Sequence, residues 1–123
     1  RGIMTLRGAD KQALAAAFDK FYTRFALTQP ERPEPMLNIL VSYSDNMWVI
    51  HVIPRKLHRP ACYFAEGKDK ILLSPASVDM GGVLITPREE DFDKITSADI
   101  SAIFMQVCLT GREIKALTED ILL

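Results

Sequence analysis

The sequence is sparing with the residues that most often carry chemistry. It holds two histidines, His51 and His58, and two cysteines, Cys62 and Cys108, in 123 residues. The cysteines are far apart and the histidines stand seven positions apart, so no usual zinc-ligand spacing is present. There is no P-loop, no G-x-G-x-x-G and no nucleophile elbow. No apolar run is long enough to span a bilayer. The opening RGIMTLRGAD lacks the long apolar region of a signal peptide. Charge is nearly balanced at -1 overall, so the chain is no general nucleic-acid binder. Any anion site must come from local clustering. These absences together predict a reduced, cytoplasmic setting with no cofactor, no metal, no nucleic-acid partner and no membrane partner.

What is present suits a globular fold. Hydrophobic residues make up 48% and charged residues 25%, the balance of a soluble domain with a core of its own. The length fits a single domain over residues 1–123. The chain starts at Arg1 rather than Met, which predicts the C-terminal part of a longer protein.

Periodicity divides the chain into elements. In residues 10–27, Leu14, Phe18, Phe21, Tyr22 and Phe25 recur at intervals of three and four, the stripe of an amphipathic helix capped by Asp10. QPERPEP, residues 29–35, reads as an extended, proline-rich connector after that helix. Residues 36–54 alternate as a hairpin, with Asp45-Asn46 as a two-residue turn. That register sets Tyr43 beside Trp48, Val41 beside Ile50 and Ile39 beside Val52. One face is then wholly apolar (Leu37, Ile39, Val41, Tyr43, Trp48, Ile50, Val52) and is expected on the core. The other (Asn38, Leu40, Ser42, Met47, Val49, His51, Ile53) is mixed and is expected to meet solvent, a partner domain or a ligand.

Two further strands are predicted at 71–75 and 81–87, with turns at Gly67 and Gly81-Gly82. Capping boxes begin at Thr86, Thr96 and Thr110, and predict helices near 87–95, 97–109 and 111–121. The fold class is therefore α+β: an antiparallel sheet of the 36–54 hairpin plus two or three strands, an N-terminal helix, and C-terminal helices on one face.

Chemistry concentrates in HVIPRKLHRP, residues 51–60, which carries Arg55, Lys56, His58 and Arg59 and no acid. Two arginine forks, a lysine and a histidine donor after a strand end are suited to a phosphate. The same run also reads as a solvated basic turn that suppresses edge pairing. His51 reads as a packed strand histidine. Tyr43 and Trp48 can stack on a base but read as core, Asp79 as a turn residue, and Cys62 and Cys108 as small buried hydrophobes.

The segments NILVSYSDNMWVIHVIPR and WVIHVIPRKLHRP resemble histidine-triad (HIT-like) nucleotide hydrolases and transferases. The closer likeness is to the C-terminal domain of diadenosine tetraphosphate phosphorylase (ATP adenylyltransferase) and to related GDP-sugar phosphorylases. SVDMGGVLITPREEDFDKI resembles a later segment of that family, so the likeness covers residues 36–95. It implies a HIT-like half-domain and nucleotidyl-transfer chemistry in the parent protein. In the family, a histidine of a His-x-His-x-His or His-x-His-x-Gln motif attacks the α-phosphate. This chain has no such motif, so no catalytic residue carries over and the isolated chain is expected to be inactive. Arg55 matches the family's Pro-Arg segment; Lys56, His58 and Arg59 match its basic turn loosely. The expected partners are a nucleotide or nucleotide sugar, and an upstream catalytic domain or a second copy. The alternative reading is a non-catalytic interaction or dimerisation module without a small-molecule site.

Overall fold

The computed structural model describes residues 2–119. Its sheet has three strands, β1 (Met4–Gly8), β2 (Leu37–Ser44) and β3 (Met47–Pro54), in the antiparallel order β1-β3-β2. Helix α1 (Lys11–Ala26) separates β1 from β2. After the sheet come α2 (Ala61–Phe64), a 3-10 turn (Gly67–Asp69), α3 (Ser77–Met80), α4 (Glu89–Lys94), α5 (Ser97–Val107) and α6 (Gly111–Thr118). The α+β class with an antiparallel sheet stands. Among the described residues no helix is long and apolar enough to cross a membrane.

The hairpin forms in the expected register, from Leu37–Pro54 to Ser44–Met47. Asp45 and Asn46 take φ of 50° and 60°, the paired positive values that match a tight turn to the strand twist. α1 also forms as read. Asp10 Oδ1 accepts from the N–H of Gln12 and of Ala13 at 2.9 and 3.2 Å, satisfying two donors of the first turn. Leu14, Phe21 and Phe25 bury its apolar stripe against Met4, Leu6, Val52, Leu109 and Ile114. Each fully buried phenylalanine contributes about 2–3 kcal/mol of apolar burial.

Several expectations are corrected. The third strand comes from residues 4–8, not from 71–75 or 81–87, which form no ladder. Residues 71–75 are irregular, and their backbone is held by other groups: Ile71 N–H donates to Cys62 O at 3.0 Å, Leu72 N–H to Asp91 Oδ2 at 2.9 Å, and Leu73 N–H to Ile71 O at 2.9 Å in a tight turn. Residues 29–35 are a compact turn rather than an extended connector. Gln29 spans that turn from inside, its Nε2 donating to Arg55 O at 2.6 Å and its Oε1 accepting from Met36 N–H at 2.8 Å.

Helices also flank both faces of the sheet, not one. α1 and α6 pack on the apolar face. The end of α5 and Met80 of α3 enclose Ile53, with Val107 and Cys108, on the mixed face. The apolar face is correspondingly only half covered: Ile39, Val41 and Tyr43 are 42%, 56% and 55% exposed. Trp48 lies at the border, half-buried with its ring 4.6 Å from that of Tyr43.

The capping boxes at Thr96 and Thr110 form with Asp99 and Glu113. The expected last turn of α6 extends toward 121, beyond the described residues. The box at Thr86 does not form, and α4 starts three positions later than its threonine. Arg88 determines that start. It donates from Nε and Nη2 to the two oxygens of Asp91, both at 2.8 Å. Asp91 is 0% exposed, and Lys94 lies 3.5 Å from it. This pair ties α4 to residues 70–72, because Arg88 also donates to Lys70 O.

The hydrogen bonds from Arg88 hold the Asp91 carboxyl well below the usual carboxylate range, and the bond from Leu72 N–H adds to that, against the opposing effect of burial. A folded pKa below the unfolded value of about 3.9 gives stability that is complete above that pH and lost as pH falls. Replacing Asp91 with Ala is expected to lower unfolding stability at neutral pH, since it removes the two 2.8 Å bonds from Arg88 and leaves Leu72 N–H without its acceptor, while Glu90 stays 3.1 Å from Arg88. In urea titrations of Asp91→Asn, the deficit should shrink as pH falls below about 4.

Candidate functional site: the Arg55 cleft

β3 does not end freely. Past Pro54 the backbone continues into a bridge between Arg55 and Cys108. Leu109 N–H donates to Pro54 O at 3.0 Å and Lys56 N–H to Val107 O at 2.9 Å. On the other side Arg55 N–H donates to Met36 O at 2.8 Å. Residue 55 is thus fixed between the start of β2 and the end of α5. Its side chain follows the mixed face of the sheet inward and is only 5% exposed.

A buried guanidinium needs partners. Arg55 Nη2 donates to His58 O at 2.8 Å, and Nη1 to Asn38 Oδ1 at a long 3.4 Å. Both acceptors are uncharged. Nε is buried with no hydrogen-bond partner. Among the described residues no carboxylate forms an ion pair with it. Desolvation draws its pKa below the usual arginine value, opposed by Cys108 and Asp79. Asp79 is itself engaged: its carboxylate accepts from Ala76 N–H at 2.8 Å and Ile85 N–H at 3.2 Å, fixing the loop across α3. Asp79 thus lies within α3 and closes its first turn, rather than sitting in a turn at the glycine pair as the sequence suggested.

An open cleft of about 340 Å³ lies over this arginine, lined by Glu34, Met36, Asn38, Arg55, His58 and Ala76. Its size falls at the small end of ligand sites, roughly 300–1,000 Å³. The four residues of the basic turn part company here. Arg55 and His58 share the cleft. Lys56 points to α6 and meets Glu113 at 3.5 Å, beside a separate groove with Phe25 and Leu117. Arg59 stacks on the ring of Tyr63 at 4.4 Å. His51 is half-buried on the sheet, its Nδ1 2.9 Å from Thr5 Oγ1, a packed strand histidine. Cys108 is fully buried as expected; Cys62 is half-buried, and burial raises its thiol pKa.

Asn38 is the site residue that sequence reading missed. The hairpin register gave the clue: Asn38 faces Ile53 on the strand pair, two residues before Arg55. Among the described residues no group of three or more His, Cys, Asp or Glu is placed to hold a metal ion.

The fold and site define a small α+β domain whose sheet delivers one buried, uncompensated arginine to a polar cleft. The chain belongs to the family described as GDPGP1-like, C-terminal domain, which it matches over residues 1–123. No curated protein and no solved structure matches it.

If Arg55 is held for a ligand rather than for the fold, its loss should be tolerated. Arg55→Met, which keeps the volume and removes a desolvated charge, is expected to leave unfolding stability within about 1 kcal/mol of the parent or above it. A structural arginine would lose about 3 kcal/mol or more. Chemical denaturation separates the two.

Proposed function

We propose that this domain is the C-terminal, HIT-like half of a nucleotide or nucleotide-sugar phosphorylase, and that it contributes a phosphate contact. The observation that carries the reading is Arg55: a buried cation with uncharged partners, an unsatisfied Nε and a cleft above it. A phosphate supplies what that arginine lacks. Two anionic oxygens suit the guanidinium fork, and the charge offsets the desolvation that its present acceptors leave uncompensated. His58, exposed at the same cleft, adds a ring donor for a further oxygen. Lys56 and Arg59 face elsewhere and add longer-range attraction for an anion.

Family membership supports the class of parent protein, and the likeness of residues 36–95 to GDP-sugar and diadenosine tetraphosphate phosphorylases supports the reaction. In that chemistry a histidine nucleophile attacks the α-phosphate. With no His-x-His motif in this chain, the nucleophile belongs to another part of the assembly. The alternative, a module that only docks a partner, draws on the exposed Ile39, Val41 and Tyr43 rather than on Arg55.

Calorimetric titration with GDP, a GDP-sugar and inorganic phosphate tests the phosphate contact. Arg55→Met should weaken binding about tenfold or more, the worth of a charge-assisted hydrogen bond. Arg59→Ala should change it by less than about twofold, since stacking on Tyr63 turns that arginine away. Binding that is indifferent to Arg55 refutes the contact. The isolated chain should also show no phosphorolysis. Turnover that His58→Ala abolishes would overturn its assignment as a non-nucleophilic half.

A further inference from the structure

One of the residues lining the Arg55 cleft is an acid, Glu34. Its place there is fixed by its neighbours. Proline stands on both sides, Pro33 and Pro35. A residue before proline is held extended, and the proline ring fixes the φ that follows. Pro35 is buried. Met36 comes next, and both of its backbone groups are bonded: its N–H donates to Gln29 Oε1 and its O accepts from Arg55 N–H, each at 2.8 Å. The bond that fixes the backbone of Arg55 thus also fixes the chain two residues after Glu34. Little freedom is left to carry the acid away from the cleft.

The charges of the cleft are close to balance. Among the described residues no cation forms an ion pair with Glu34, so the acid and Arg55 line the same cleft without closing on each other. Asp79 already acts on the charge of Arg55. The other cations of the basic turn are engaged elsewhere, Lys56 at Glu113 and Arg59 on Tyr63. One guanidinium therefore faces one carboxylate, with no second cation at hand. A phosphate with a single charge finds in Arg55 the donors and the charge it needs. A second charge on the same phosphorus meets no excess of positive potential, and it loses more hydration on entering the cleft.

We propose that Glu34 sets the charge of the phosphate this cleft takes. It favours a singly charged phosphate, as in a phosphodiester or a pyrophosphate esterified at both ends, over the doubly charged terminal phosphate of a monoester. The proposal rests on the reading of Arg55 as a phosphate contact and adds the residue that selects among phosphates.

NMR titration of the chain at pH 8 with two probes reads the selection. Phenyl phosphate carries about two charges at that pH, and its methyl ester, methyl phenyl phosphate, a single one. The parent should bind the diester at least as tightly as the monoester. Coulomb energy scales with ligand charge, so Glu34→Gln should tighten the singly charged probe about threefold and the doubly charged probe by the square of that, about tenfold. Glu34→Asp keeps the charge and should keep the parent's order. Arg55→Met should weaken both probes together. Probes bound without regard to Arg55 remove the phosphate contact and the selection with it. Probes weakened by Arg55→Met, yet shifted equally or not at all by Glu34→Gln, overturn the selection and leave the contact standing. A parent that prefers the monoester also overturns the selection.

Discussion

Everything in this domain depends on the backbone of residues 54–56. β3 is already paired along both edges when it leaves the sheet, and its last residues keep finding partners. Pro54 O and Lys56 N–H bond to the segment at the end of α5, Arg55 N–H to Met36, and Arg55 O to Gln29. One short stretch thus joins the turn after α1, the start of β2 and the junction of α5 with α6. Backbone groups so fully engaged leave little freedom at Arg55. Its side chain goes inward because the chain around it gives it no other direction.

That constraint explains an otherwise costly arrangement. A desolvated guanidinium with carbonyl and amide acceptors alone is a poor source of stability. The domain has a clear counterexample in Arg88, whose charge is matched by both oxygens of a fully buried Asp91. The two arginines differ in what they face. Arg88 fastens α4 to the loop at 70–72. Arg55 faces a cleft, and Asp79, whose charge acts on it, is committed to backbone donors of its own loop. A fold able to neutralise Arg88 so completely leaves Arg55 unmatched, and the difference is the basis of the functional reading.

Much of this was legible in the sequence where local chemistry decides the outcome. Asp45-Asn46 fixed the hairpin and with it every pair of β2 and β3. Asp10, Thr96 and Thr110 marked helix starts because their side chains satisfy backbone donors a few residues away. Legibility ended where partners are distant. MTLRG alternates too briefly to announce β1, and it becomes a strand because β3 offers an open edge 40 residues on. ILLSP and GGVLITP have strand composition but no edge to join. The Thr86 box yielded to Arg88 and Asp91. The basic turn was visible as a cluster; that its four side chains diverge, with only Arg55 and His58 sharing a cleft beside Asn38, follows from tertiary packing.

The central claim is that Arg55 is held unsatisfied for an anion. Its Nε–H is the atom that reports on this, since it is buried and without a partner. Nitrogen-15 NMR of the arginine Nε–H groups during titration with GDP or inorganic phosphate observes it directly. The account predicts that the Arg55 resonance shifts and saturates with the ligand while those of Arg59 and Arg88 stay in place. A titration in which ligand binds and the Arg55 resonance does not respond would contradict it.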